Sequence, residues 1–229
     1  MKQKKVFYSE AAYLAGILLL AAGTAFMERA DFGMSMVVAP AYLLHLKISQ
    51  YLPFYSFGMS EYVLQAVVLV ILALCMGRFR KYYLFSFVTA VLYGFALDGA
   101  ILALGCVTLE GLPWRVVCYV AGLPLCSLGV AFLFHTYLPP EAYELFVKEI
   151  SARLGSDIGR TKTVYDCVSC LVGILLSFLF FGFGRFEGVK LGTILCAAVN
   201  GWLIGRIGAW LERTFDFRDA LPWRPAFER

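Results

Sequence analysis

Residues 116–134 read VVCYVAGLPLCSLGVAFLF and contain no charged side chain. A helix rises about 1.5 Å per residue, so about 20 apolar residues cross the ~30 Å hydrocarbon core of a bilayer. Five other apolar runs lie at 11–27, 62–77, 82–109, 167–184 and 191–205. They contain no charged residue except Asp98 in the run 82–109. They lack the alternation of apolar and polar residues that is typical of barrel strands. We therefore predict an all-α, polytopic membrane protein with six transmembrane helices.

The whole chain is too apolar for a soluble domain. Of its 229 residues, 61% are apolar and 16% are charged, and the mean hydropathy is +0.75. Soluble domains average about 45–50% apolar and about 25% charged residues. Disordered chains are rich in charge and poor in aromatic residues, so the same values exclude disorder. No basic tract interleaved with aromatic residues points to nucleic acid, and the first partner that we expect is the lipid bilayer.

The basic residues predict how the chain is oriented. With six helices, 15 of the 20 Lys and Arg residues lie on the side of the two termini and five lie on the other. By the positive-inside rule, both termini and a tail at 213–229 are then cytoplasmic. The alternative is that Met1–Lys5 and the run 11–27 form a cleaved signal peptide. That run is long for a signal sequence, so we interpret it as the first membrane helix.

The chain resembles itself at an offset of 101 residues. This offset pairs Ala41 with Ala142, Tyr42 with Tyr143, Leu44 with Leu145, Lys47 with Lys148, and Gly58 with Gly159. It also places Gln65 opposite Asp166, and a similar offset of 107 aligns 90–95 with 197–202. The pattern predicts two inverted-topology three-helix repeats, at 9–109 and 114–212, in a single membrane domain of residues 1–229. The alternative is a duplication retained for packing alone.

Each repeat contains a short segment that is opened by proline. Residues 33–46 carry no formal charge and are too few to span a bilayer, so they either re-enter the membrane or lie on its surface. Residues 138–154 carry five charged side chains, and their apolar residues recur at steps of three and four. That periodicity predicts an amphipathic helix at the cytoplasmic interface.

Several short motifs occur in a specific order along the chain. They are RADFG at 29–33 followed by PAYLL at 40–44, Phe57-Gly58 at the start of the second run, and GVKLGT at 188–193. In this order they resemble the bacterial YczE/YyaS/YitT-like membrane proteins over nearly the whole chain up to Trp210. The chain departs from that pattern at Lys190-Leu191 and at Pro139-Pro140-Glu141. The resemblance implies a multi-pass protein of the bacterial inner membrane, and it supplies no substrate or catalytic residue.

Ionisable groups inside membrane spans are costly and are functional candidates. Asp98 interrupts the third run, Asp166 lies near the start of the fifth, and Gln65 is its repeat mate. Together with Asp31 and Glu61 they form the polar part of the predicted substrate site. A group of carboxylates at the predicted site favours attraction of a cation or coupling to protons. The alternative is a set of solvated loop charges with one ion pair between Asp98 and either Arg29 or Arg115.

Two further site candidates lie near the predicted midplane of the bilayer. Asn200 and its repeat mate Tyr93 precede Gly201 and Gly94, where two helices have room to approach closely. The amide and the phenol are interpreted either as ligand-binding groups or as groups that hydrogen-bond to each other or to a backbone carbonyl.

The cysteines and histidines do not predict a metal site or a cofactor. Cys167 and Cys170 form a lone C-x-x-C motif without a second pair at metal-site spacing. His45 and His135 fall near opposite faces of the membrane. The sequence leaves open whether Cys106 and Cys118 form a disulfide across the short loop between them. No Ser, His and Asp set shares a plausible plane, so we do not predict an enzyme.

The leading functional hypothesis is a small permease for a polar or cationic solute, with its site between the two repeat halves. A second hypothesis is the substrate-binding membrane subunit of an energy-coupled importer. The small-residue spacings Ala11-x-x-x-Ala15 and Ala21-x-x-x-Ala25 would suit docking to an energy-coupling subunit or to a second copy of the chain. A third hypothesis is a structural or regulatory membrane protein that transports nothing.

Overall fold

The structure is a computed structural model that describes residues 4–33, 35–80, 82–105, 111–156 and 158–227. This part of the chain is mostly helical, with nine helices and two short strands. In chain order the elements are β1 (Lys5–Tyr8), α1 (Ser9–Ala30), α2 (Ala39–Ile48), α3 (Phe57–Met76), α4 (Tyr82–Gly105), α5 (Leu112–Phe134), α6 (Ala142–Leu154), α7 (Ile158–Phe181), α8 (Leu191–Thr214), β2 (Phe215–Arg218) and α9 (Arg224–Phe227).

Six of these helices are long and apolar enough to cross a membrane, namely α1, α3, α4, α5, α7 and α8. The apolar part of α7 begins at Thr161. These helices coincide with the six uncharged runs of the sequence, which confirms that prediction and indicates a multi-pass membrane protein. The predicted extension of the third run to residue 109 lies outside the described residues.

The first and last strands lie together at one end of the bundle, which we call the terminal end. β1 pairs in parallel with β2, with Lys5 opposite Phe215 and Tyr8 opposite Arg218. The segment after β2 is fixed to α1 because the Glu10 carboxylate accepts hydrogen bonds from the backbone N–H groups of Ala220 and Leu221, at 3.0 and 2.9 Å. The sequence did not predict these strands.

Glycine permits a close approach of α1 to α5. A Cβ atom added at Gly23 would lie 2.6 Å from the backbone N of Cys126 and 2.7 Å from the carbonyl oxygen of Gly122. Contact this close brings two backbones together and leaves no room for a side chain. Ala21 and Ala25 on α1 are each 1% exposed within the chain's own core. This half of the small-residue pattern therefore packs inside the protein and is not a surface for a partner.

The two short helices begin in the interior and not at a surface. Ala39 and Ala41 at the start of α2 are fully buried, and so is Ala142 at the start of α6. Val37, just before α2, and Tyr143 of α6 share one buried apolar cluster. The prediction of an interfacial amphipathic helix over 138–154 is therefore wrong for its first half, where the two prolines delay the helix until Ala142 and carry the chain through the core.

Candidate functional site

The first turns of α3 present a polar face to the protein interior. Ser60, Glu61 and Gln65 are completely buried, although α3 is otherwise an apolar membrane helix. The helix begins at a capped terminus, where the Ser56 hydroxyl accepts a hydrogen bond of 3.1 Å from the N–H of Met59. Glu61 and Gln65 are four residues apart and therefore project from the same side of the helix.

Gln65 joins α3 to the segment that leads into α6. Its Nε2 donates to Glu61 Oε2 at 3.3 Å and to Glu141 Oε2 at 3.2 Å. Its Oε1 accepts from the backbone N–H of Ala142 at 3.0 Å. One amide thus satisfies a free N–H at the start of α6 and holds two carboxyl groups together.

The prolines before α6 are anchored on α4. The carbonyl oxygens of Pro139 and Pro140 accept hydrogen bonds from Thr89 at 3.0 Å and from Ser86 at 2.6 Å. Thr89 also bonds the hydroxyl of Tyr13 on α1, at 2.7 Å. These contacts place the side chain of Glu141 inside the bundle.

The remaining charged side chains come from α6 and α7. Lys162 Nζ donates to Glu144 Oε1 at 2.9 Å and lies 3.2 Å from Asp166 Oδ1. On the other side, the Tyr143 hydroxyl donates to Glu61 Oε2 at 2.9 Å. We call Glu61, Glu141, Glu144 and Asp166 the carboxyl cluster.

The carboxyl cluster has an excess of acid. In the part of the chain that the structure describes, it contains four carboxyl groups and one ammonium group, that of Lys162. Among the described residues, Glu61 Oε1, Glu141 Oε1 and Glu144 Oε2 are buried without a hydrogen-bond partner. Loss of water raises the pKa of Glu141 well above its usual range, and the charges of Glu61 and Glu144 raise it further. The cluster is therefore favourable only when protons or a cation offset its charge.

A small cavity of about 40 Å³ adjoins the carboxyl cluster. It has room for one to a few water molecules or a similarly small group. Its polar lining comes from several elements along the chain: Thr24, Ser35, Tyr93, Glu141, Tyr143, Glu144, Lys162 and Asn200. The unpartnered oxygens of Glu141 and Glu144 thus belong to side chains that line this cavity.

Tyr93 and Asn200 line this same cavity, and each is held by a different neighbour. The Tyr93 hydroxyl donates to Thr24 Oγ1 at 2.9 Å, and Asn200 Oδ1 accepts from Ser127 Oγ at 2.7 Å. The prediction of close packing at the following glycines is confirmed at Gly94, where a Cβ would collide with the ring of Tyr62. It is wrong at Gly201, which has nothing within 4 Å of an added Cβ.

Asp98 lies apart from the cavity, and its carboxylate accepts hydrogen bonds from residues at the start of α3. Its Oδ2 accepts from the Ser56 hydroxyl at 2.5 Å, and its Oδ1 accepts from the N–H of Gly58 at 2.8 Å. A carboxylate at a helix N-terminus is favourable because it offsets the partial positive charge there. The ion pair between Asp98 and Arg115 that was considered as an alternative is not formed, because the Arg115 guanidinium pairs with Asp31.

Asp31 lies on the surface at the end of α1. It forms ion pairs of 2.9 Å with Arg115 and 2.5 Å with Lys190. Arg115 also donates to the backbone carbonyl of Ala30 at 2.8 Å. Asp31 therefore joins α1 to the start of α5 and to the residue before α8. Of the predicted site residues, Glu61, Gln65, Asp166, Tyr93 and Asn200 lie at the cluster or the cavity, whereas Asp31 and Asp98 do not.

Sequence reasoning missed Glu141, Glu144, Tyr143 and Lys162 as site residues. In the sequence pattern, Glu141 and Glu144 belong to the charged residues of the predicted interfacial helix and Tyr143 to its apolar residues. Lys162 counts there only among the basic residues on the side of the termini. One signal was available, because the offset of 101 that pairs Gln65 with Asp166 also pairs Glu61 with Lys162 and Tyr42 with Tyr143.

The described residues contain no group of three or more His, Cys, Asp or Glu side chains arranged to hold a metal ion. His45 bonds the carbonyl of Tyr55, and His135 bonds that of Ala131, so the two rings serve different regions. Cys106 lies outside the described residues, and the disulfide considered for it stays a prediction. Cys167 and Cys170 are free thiols.

Comparison with known proteins places most of the chain in one family. A model described as a family of unknown function (DUF6198) matches residues 7–208. No curated protein and no solved structure matches the chain. The match covers the carboxyl cluster and the cavity, so both lie in the part of the chain that the family shares.

Proposed function

We propose that this chain, which belongs to the family of unknown function DUF6198, is a permease for a small cationic solute. The observation that carries the proposal is the set of three buried carboxyl groups with unpartnered oxygens, two of which line the cavity. An ammonium group supplies several N–H donors and a positive charge, which is the complement of such a set.

The excess of acid suggests how binding is coupled to protons. Leaving several ionised carboxylates unpaired in the interior is costly, so an empty cluster holds protons on its carboxyl groups. A cation that enters offsets the negative charge, and a carboxyl group such as that of Glu141 then releases its proton. The expected mode is therefore exchange of a cation for a proton.

The proposed transport pathway uses the internal repeat. Under the offset of 101, Glu61 and Gln65 of the first half correspond to Lys162 and Asp166 of the second, and the four side chains lie around one cluster. A site at the meeting point of two inverted repeats is a recurring plan of secondary transporters. In this proposal the terminal end of the bundle faces the cytoplasm of a bacterial cell, as the basic residues predict.

Proton release measures this proposal directly. The full chain is reconstituted in nanodiscs in weak buffer at pH 7, methylammonium is added as the probe, and released protons are recorded with a pH-sensitive dye. We expect saturable release that Glu141→Gln weakens at least tenfold. The matched control is Glu149→Gln on α6, the helix that Glu141 precedes. The Glu149 carboxylate pairs with Arg80 at 3.3 Å outside the cluster, so this control leaves release unchanged.

Transport itself is measured in proteoliposomes. An outward proton gradient should drive uptake of labelled methylammonium by wild type faster than by Glu141→Gln. Uptake by Glu141→Gln should equal that of protein-free liposomes, which the neutral amine enters by diffusion. Saturable binding without uptake would contradict the permease and favour a binding subunit that needs an energy-coupling partner. Absence of both binding and proton release would contradict the cation site and favour a structural protein.

A further inference from the structure

A second and much larger cavity opens from the bundle beside the carboxyl cluster. It is a groove of about 630 Å³ between α3, α6 and α7. Its walls are almost entirely apolar, and among them are Val67, Ile71, Phe146, Ile150, Val168 and Val172. We call it the apolar groove.

The apolar groove opens toward the lipid. Val67 on α3 and Val168 on α7 line it and are 47% and 55% exposed on helices that are suited to cross a membrane. A volume of this size and character is typical of sites that bind small organic molecules, which are mostly apolar with a few polar groups.

Only a thin wall separates the apolar groove from the carboxyl cluster. Val37 and Tyr143 line both the groove and the small cavity. The hydroxyl of Tyr143 is hydrogen-bonded to Glu61, so the groove ends one side chain away from a buried carboxyl group. The small cavity fits a charged head group, and the groove fits an apolar body.

We infer that the cation carried by this protein is an amphiphilic amine, whose ammonium group binds the carboxyl cluster while its hydrocarbon body lies in the apolar groove. This inference rests on the proposed function and adds the class of substrate. It requires the Tyr143 side chain to turn so that head and body bind together. The groove's opening between α3 and α7 then admits the substrate from the bilayer.

Charge complementarity favours this occupant over membrane lipid. A phospholipid carries a phosphate group, which the excess of carboxyl groups would repel. A neutral hydrocarbon chain gains little by leaving other lipid chains for an apolar groove. An amphiphilic amine gains from both parts of the site.

Three probes that share parts of one structure test the inference. n-Decylammonium has both head and chain, methylammonium has the head alone, and n-decanol has the chain alone. Binding to the full chain in nanodiscs is measured by equilibrium binding of labelled probe, with empty nanodiscs subtracted. We expect n-decylammonium to bind at least tenfold more tightly than methylammonium and n-decanol not to displace it.

One pair of variants separates the groove from the cluster. Val67→Trp fills the apolar groove and should abolish the advantage of n-decylammonium while methylammonium still binds. Val70→Trp is the matched control, because Val70 is 59% exposed on the same helix and does not line the groove. Glu61→Gln should weaken binding of both amines.

Equal affinity for the two amines, or full displacement of n-decylammonium by n-decanol, would overturn the inference. If the two affinities are equal, methylammonium still binds, so the proposal of a cation permease is retained and the proposal of an amphiphilic substrate is rejected. In the second case the groove is a site for lipid chains. If neither amine binds, the proposed function itself fails.

Discussion

The hydroxyl of Tyr143 donates a 2.9 Å hydrogen bond to Oε2 of Glu61, a residue 82 positions earlier in the chain. The other oxygen of Glu61 is buried without a partner among the described residues. One carboxyl group is thus half satisfied, by a side chain that also lines the apolar groove. Any group that replaces the phenol as donor to Glu61 Oε2 must displace the hydroxyl of Tyr143.

Gln65 should be the most sensitive position for stability. Gln65→Leu removes three hydrogen bonds and leaves a buried N–H and two carboxyl groups without this partner. We expect the free energy of unfolding to fall by at least about 3 kcal/mol, since each of these three groups costs about 1–3 kcal/mol. Thermal unfolding in nanodiscs measures the loss. Val70→Leu on the lipid-exposed side of α3 should unfold like wild type, and equal melting temperatures for the two variants would refute the network.

Stability should fall as the pH rises, because the pKa of Glu141 is raised by burial. The folded chain then binds more protons than the unfolded chain, so stability is highest below the ordinary pKa of glutamate and is lost as the pH rises toward the raised value. The titratable groups that face Glu141 are Glu61, Glu144, Tyr143, Lys162, Tyr93, Tyr13 and Cys126.

Melting temperatures between pH 5 and pH 9 measure this dependence. Glu141→Gln, which carries no ionisable proton, should have a flatter profile than wild type. Glu149→Gln should retain the wild-type slope because its carboxyl group lies outside the cluster. Methylammonium should stabilise wild type more at high pH, where it competes with fewer protons. A wild-type profile that rises over this range would contradict the assignment.

Asp98 should matter for stability and not for cation binding. In Asp98→Asn the amide oxygen still accepts from the N–H of Gly58, but the charge at the start of α3 is lost. We expect a loss of about 1 kcal/mol. Methylammonium affinity should stay within about twofold of wild type, because the carboxyl group lies at the start of α3 and not in the cavity. A selective loss of binding in a variant that unfolds like wild type would return Asp98 to the substrate site.

Adding even one methyl group at the α1–α5 contact should destabilise the protein. Gly23→Ala places a Cβ 2.6 Å from the backbone N of Cys126, so the helices must separate. We expect a loss of about 3 kcal/mol, at the upper end of the cost of overpacking. Gly99→Ala is the matched control in another membrane helix, since nothing lies within 4 Å of an added Cβ there. If both variants have the wild-type melting temperature, the contact is looser than described.

The six long helices could be predicted because lipid leaves the chain so few choices. A backbone in hydrocarbon must satisfy its own hydrogen bonds, so uncharged runs of about 20 residues mark the helices. Gln65, Asp166, Tyr93 and Asn200 were found because a polar residue within such a run is unusual.

The sequence pattern failed at Glu141 and Glu144. A charged face at helical spacing is the same pattern whether it meets water or a buried cluster, and the short segment before α6 gave no sign of its depth. Asp98 was wrongly placed in the site for a related reason, because depth along a helix does not reveal which neighbouring element the side chain contacts. Asp98 accepts hydrogen bonds from Ser56 and Gly58 only because α3 begins beside it.

The pairing of β1 with β2 bears on how the protein is made. Membrane helices enter the bilayer as the ribosome delivers them, and the first strand leaves the ribosome long before Phe215 exists. Lys5–Tyr8 must therefore wait, unpaired, until the last helix has been inserted. This small sheet therefore closes only after all six long helices have been synthesised, and a chain truncated before residue 215 would leave the edge of β1 unpaired.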